Sequence, residues 1–211
     1  MRISGIIYDC DGVLFDSQKA NIAYYSAILA RFDRPALDPG DDETAHLCHT
    51  AASPEVLRVL LGEDLVEEAL TVAAALDYRQ FIPQLRSEAG IEQALACLHR
   101  DYRLAVATNR GHSAPQLLAH FGFADYFTAV VTSRDVPRPK PYPDMLLLAA
   151  EKLGCRTDEL IFVGDSPLDC EAARTAGIRF IGYKGTWEGV TAVAGHLELL
   201  DLLEGPGLRE P

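Results

Sequence analysis

The chain has 211 residues, 48% hydrophobic and 24% charged, which suits one large domain or a domain carrying a sizeable insertion. Its formal net charge of −12 excludes nucleic acid and anionic membrane as partners, since either calls for a basic patch. No stretch reaches the ~18 apolar residues that span a bilayer. The N-terminus "MRISGIIYDCDG" lacks a signal peptide's apolar region and cleavage site, so a cytoplasmic protein is expected.

The first apolar run, "ISGIIY" (3–8), leads straight into "DCDGVLFDS". Asp9 and Asp11 lie two residues apart, so on a strand they point the same way, and leaving both unpaired in an interior is costly. A missing cation is implied. Cys10 falls between them, but strand alternation turns it away, and adjacent carboxylates raise a thiol's pKa. It is therefore not expected to be a nucleophile. The five cysteines show no CxxC or zinc-like spacing.

Residues 18 to about 88 give no strand signal. Ile22, Tyr25, Ile28, Leu29 and Phe32 mark one face of a helix for which Ser17 is the expected N-cap. "LVEEALTVAAALDYRQFI" (65–82) reads as one long later helix, and the intervening "DRPALDPGDDE" as loop. So many helical residues exceed a simple crossover. They predict a second, smaller domain at 17–88, interrupting a domain formed by 1–16 and 89–204, with 205–211 as a frayed tail.

Four further apolar runs follow: "LAVAT" (104–108), "AVVT" (129–132), "LIFVG" (160–164) and "RFIGY" (179–183). They are nearly continuous, as strands covered on both faces are. Helical patterns at "IEQALACLHR", "SAPQLLAHFG" (Ser113 as cap), "PYPDMLLLAAEKLG" and "SPLDCEAARTAG" separate them. The fold class is thus α/β, a Rossmann-like doubly wound parallel sheet with an inserted helical domain.

Ligands of such sheets collect beyond the carboxyl ends of the strands. There the sequence places Asp9 and Asp11, then Thr108 and Asn109, then Asp165 and Asp169, with Lys140 in the loop "RPKPYPD". Lys140 is one of only four lysines in the chain. An all-oxygen acidic cluster suits Mg²⁺, which shares its shell with a substrate phosphate. A hydroxyl, backbone amides and one lysine suit the phosphoryl group, and the remaining carboxylate can attack phosphorus. Arg110 is read either as a leaving-group contact or as ordinary surface. His46 and His49 have no third ligand nearby and are not expected to hold metal.

"DCDGVLFDS", "ATNR", "RPKPYPD" and "VGDSPLDCEAARTAG", in this order, resemble the four motifs of the haloacid dehalogenase superfamily, in its phosphatase branch. The helical insert resembles that family's C1 cap, and the likeness is nearest to phosphoglycolate phosphatases and β-phosphoglucomutase-like phosphatases. The resemblance implies Asp9 as the nucleophile that becomes phospho-aspartate and Asp11 as the general acid and then base. It implies Thr108, the Asn109 amide and Lys140 as the phosphate holders. Mg²⁺ would be held by Asp9, the Asp11 carbonyl and Asp165, supported by Asp169. Gly12 would permit the tight turn that lets the cap close.

The expected substrate is a small phosphorylated metabolite, hydrolysed by a monomer or small homo-oligomer. A sugar-phosphate mutase shares all four motifs and is the alternative. It would need a cluster of cap cations for a second phosphate, whereas this cap is acidic and its arginines are scattered. The stretch "HLCHTAASPEV" (46–56) falls where such caps often place a specificity loop.

Overall fold

A computed structural model describes residues 3–204; the tail expected at 205–211 lies outside the described residues. The first strand, β1 (Gly5–Tyr8), ends at the acidic motif and is followed by a two-residue strand, β2 (Phe15–Asp16). Four helices come next: α1 (Gln18–Leu29), α2 (Asp42–Thr50), α3 (Ser53–Leu61) and α4 (Val66–Ala75). The short strand β3 (Arg86–Ser87) then pairs antiparallel with β2, so the chain enters and leaves the helical segment through a narrow ribbon. Neither strand was expected; two residues are too few to show a period-2 pattern.

The second half alternates strand and helix: α5 (Ile91–Leu98), β4 (Arg103–Thr108), α6 (Ser113–His120), β5 (Ala129–Thr132) and α7 (Asp144–Leu153). It closes with β6 (Leu160–Gly164), α8 (Pro167–Ala176), β7 (Arg179–Tyr183), β8 (Ala192–Val193) and α9 (His196–Glu204). Six of the strands form one sheet in the order β5-β4-β1-β6-β7-β8, and every pairing in it is parallel. The five apolar runs of the sequence are all present in it. The order reverses at β1, and the crevice between β1 and β6 is where open sheets of this kind hold ligands.

Alternation along β1 sorts the core. Ile6 and Tyr8 join Val106 and Val163 in one apolar cluster with α5, α6 and α9. Ile7 joins Ala105, Phe162 and residues of α7 and α8 in the other. The helical segment has an apolar cluster of its own, built on Tyr25, Ile28, Leu29, Cys48, Val56, Leu57, Leu61 and Ala69.

The long helix expected over 65–82 is shorter. α4 ends at Ala75, Leu76 turns extended, and two 3-10 turns replace the remainder. Asp77 accounts for part of the break, since its side chain accepts from the Arg79 backbone N–H at 3.0 Å, an alternative to the helical ladder. Two expected caps are also corrected. Ser17 does hold the N-cap position of α1, but its side chain makes no capping hydrogen bond, and Ser113 lies inside α6, whose flanking residue His112 makes no side-chain cap.

Candidate active site

Asp9 continues β1, its backbone N–H donating to the Val163 carbonyl at 2.9 Å. Its carboxylate meets Lys140 at 2.7 Å, and Lys140 also meets Asp169 at 2.6 Å. Asp169 is fixed from its other side. Ser166 caps α8 and donates from its backbone N–H at 3.0 Å and its hydroxyl at 2.6 Å to Asp169 Oδ2. One lysine thus stands against several acids. Burial pushes the Asp9 carboxyl up to about 8, Lys140 lowers it only in part, and Asp169, Asp165 and Asp11 push it up again. Burial alone would lower the Lys140 ammonium, but Asp169 and Asp9 outweigh it and raise it.

Carboxylate oxygens of Asp9, Asp165 and Asp169 lie within 4.8 Å of one another. This oxygen-only donor set, short of positive charge, fits a hard divalent cation. Gly12 has φ +72°, and a Cβ there would overlap the Asp165 carboxylate and come within 2.9 Å of His49 Nε2. Glycine is required by both the conformation and the close approach.

Asp11 occupies a different setting. Arg110 Nε donates to Asp11 Oδ2 at 3.0 Å, and a second guanidinium N–H donates to Oδ1. Asn21 donates to Oδ1 at 3.1 Å, as does the Ser17 hydroxyl. Burial would raise this carboxyl, but Arg110 outweighs it and holds it down at about 2. Held this way, Asp11 is ionised and cannot donate a proton. Arg110 itself is 8% exposed, which decides against its surface reading.

Thr108 is buried at the end of β4, its hydroxyl accepting from the Arg110 backbone N–H at 3.1 Å. The Asn109 side chain is committed elsewhere: it accepts from the Lys140 N–H at 2.9 Å and donates to the Thr50 carbonyl at 2.9 Å. Asp9, Asp11, Thr108, Asn109 and Lys140 line one cavity of 1410 Å³ with Arg110 and residues 46–55. Asp165 instead lines a smaller cavity of 510 Å³, and Asp169 is fully buried.

Sequence reasoning missed the ring around Asp11 and two contacts from α2. His49 Nε2 lies 3.6 Å from Asp165, and the Thr50 carbonyl reaches Asn109. Ser17 and Asn21, four apart at the start of α1, share a helical face, which was the available signal for the first. Cys10 is fully buried, and burial with Asp11 beside it raises the thiol. That agrees with its dismissal as a nucleophile.

The profile of the haloacid dehalogenase-like hydrolases matches residues 6–183. A plasmid-encoded phosphoglycolate phosphatase of Cupriavidus necator is 33% identical, with 99% of this chain and 94% of that protein covered. A phosphoglycolate phosphatase of Pectobacterium atrosepticum is 32% identical over 85% of this chain and 80% of its own. Among solved structures, a haloacid dehalogenase superfamily hydrolase of Geobacter sulfurreducens superposes with TM-score 0.75 at 39% identity, covering 95% of this chain and 96% of the other. The chain belongs to the haloacid dehalogenase-like hydrolases, as its four motifs led us to expect. Among the described residues, no helix is long and apolar enough to cross a membrane.

Proposed function

We propose that this hydrolase cleaves a small phosphate monoester through a phospho-aspartate at Asp9, with Mg²⁺ as cofactor. The observation that carries the reading is the Asp9–Lys140–Asp169 chain at the sheet's switch point, with three carboxylates converging and too few cations to balance them. Asp9, the Asp11 carbonyl and Asp165 would hold the ion, with Asp169 supporting it, and the ion would neutralise phosphoryl and carboxylate charge. Asp9 attacks phosphorus while Lys140, Thr108 and the Asn109 backbone N–H hold the phosphoryl oxygens. Once it leaves Arg110, Asp11 loses the charge that holds its carboxyl down, takes up a proton from solvent, passes it to the departing alcohol and then draws one from the attacking water.

The helices between β2 and β3 serve as the cap, residues 17–88 against a core of 1–16 and 89–204. Their α2 end reaches the site through His49 and Thr50. Among the described cap residues, Arg58 is the one cation lining the large cavity, and it is already paired with Glu55 and Glu63, each at 2.5 Å. That leaves no free cation cluster for a second phosphate, which favours water over a sugar phosphate as acceptor. The similarity to phosphoglycolate phosphatases places 2-phosphoglycolate first among substrates to try.

The test is phosphate release from 2-phosphoglycolate with Mg²⁺, after chelation, and after Mg²⁺ is restored. Activity lost and regained in step with the ion is expected. Full turnover by metal-stripped protein in excess chelator would contradict the reading. A parallel assay on β-glucose 1-phosphate with trace β-glucose 1,6-bisphosphate should release phosphate or show no reaction; predominant glucose 6-phosphate would favour the mutase.

A further inference from the structure

The donors gathered around Asp11 make a complete carboxylate receptor. Its floor is the Arg110 fork, Nε and Nη2, and its walls are the Asn21 amide and the Ser17 hydroxyl. Arg110 is held in place independently of Asp11. Its Nη1 donates to Ser113 at 3.1 Å, its Nη2 to Asn21 Oδ1 at 2.8 Å, and its guanidinium lies 4.9 Å over the Tyr78 ring. Tyr78 in turn donates to Asn21 Oδ1 at 3.1 Å. A planar fork fixed this way is suited to bidentate recognition of a carboxylate.

Under the phosphatase reading, on which this step rests, Asp11 has to leave the receptor to reach the leaving oxygen. A buried guanidinium stripped of its anion is strongly unfavourable. A neutral alcohol offers it nothing in exchange, whereas a leaving alcohol bearing a carboxylate restores the fork as Asp11 departs. The receptor opens on the same cavity as Asp9, Thr108 and Lys140. It also lies close to the nucleophile, since Asp9 and Asp11 are two residues apart and line that same cavity. That spacing admits a short acid. In a protein with net charge −12, a substrate carrying both phosphate and carboxylate needs a local cation beyond Lys140, and Arg110 supplies it.

We infer that Arg110, with Asn21 and Ser17, is the specificity site for a carboxylate on the leaving group, and that Asp11 occupies it until substrate displaces it. The preferred substrates are phosphate monoesters of short hydroxy acids. The enzyme rejects the neutral analogue because binding it leaves the fork unpaired.

The experiment compares kcat/KM for 2-phosphoglycolate and ethyl phosphate, with Mg²⁺, in wild type, Arg110→Met and Arg110→Lys. Wild type should favour 2-phosphoglycolate by about 100-fold or more. Arg110→Met should shrink that ratio by about 30-fold or more, mostly through KM for 2-phosphoglycolate, and Arg110→Lys should recover part of it. A merely structural arginine would lower both substrates alike, and that result overturns the inference. Should Arg110→Met fail to fold, wild type still decides: glycolate should inhibit ethyl phosphate hydrolysis competitively, and ethylene glycol at equal concentration should not. Equal efficiency of wild type on both esters defeats the specificity site and leaves the phosphatase standing. If wild type cleaves neither ester and no aryl phosphate, the phosphatase reading falls and takes this inference with it.

Discussion

Asp9 and Asp11 are separated by one residue and sit in opposite electrostatic settings. Asp9 shares one lysine with Asp169 and faces Asp165 as well, so burial and like charge push it up to about 8. Asp11 has a buried guanidinium to itself and is held at about 2. Pairs of carboxyls driven apart by their surroundings usually mark a division of labour. Here the order is the reverse of the expected one: the proposed nucleophile is the hard group to ionise, and the proposed acid is the easy one. Both inversions have the same cause. The share of positive charge decides each: Asp9 divides one lysine with Asp169, and Asp11 has a guanidinium that the proposed mechanism makes it give up.

Removing the nucleophile is the harshest way to break this contrast. Asp9→Asn should lower kcat by about 10⁴-fold or more, while relieving the crowded acids and leaving the fold intact by circular dichroism. Lys140→Met comes next. It strips the single cation from two buried carboxylates and should destabilise the metal-free protein by about 3–5 kcal/mol in urea titration. Added Mg²⁺ should restore part of that stability, and no response to Mg²⁺ would count against the metal site.

The pH dependence sharpens the contrast further. A raised Asp9 contributes stability below its ordinary value of 3.8 that is lost as pH rises toward about 8. A second buried group runs the other way. His196 Nε2 lies 2.7 Å from the Val13 carbonyl, and burial pushes the ring down to about 4. Its contribution, about 3 kcal/mol, is present above pH 6.5 and lost as pH falls through 6.5 toward 4. His196→Gln should remove that acid-side loss. Metal-free melting temperatures should then decline from pH 5 to pH 8, and saturating Mg²⁺ should flatten the decline. Rising stability over that range without metal would contradict the account. The smallest effect is expected for Ser166→Ala, which loses a helix cap worth about 1 kcal/mol and loosens Asp169 and, through it, Lys140.

The five apolar strands and the acidic, hydroxyl and lysine positions at their ends were legible because each depends on local pattern. Continuous apolar runs mark buried parallel strands, and the ligand-bearing loops follow them directly. What stayed hidden depends on pairs distant in the chain. Arg110 could not be settled between surface and site because its partners, Asp11 and Asn21, are 99 and 89 residues away. The α2 contacts with Asp165 and Asn109 are hidden for the same reason. Ser17 and Ser113 were taken as caps on local grounds, yet both hydroxyls turn to the Asp11–Arg110 network. Tertiary partners outbid the helix termini. His196 gave no signal, since nothing in its neighbours announces burial against Val13.

Covalent catalysis at Asp9 is most directly tested by acid quench during a single turnover of 2-phosphoglycolate, using Asp11→Asn protein loaded with Mg²⁺ so that the intermediate breaks down slowly. Peptide mass analysis should find one phosphoryl group on the peptide containing Asp9, and none when Asp9 is also changed to Asn. Turnover with no phosphorylated Asp9 peptide at any quench time, in a variant that still releases phosphate, would contradict the account.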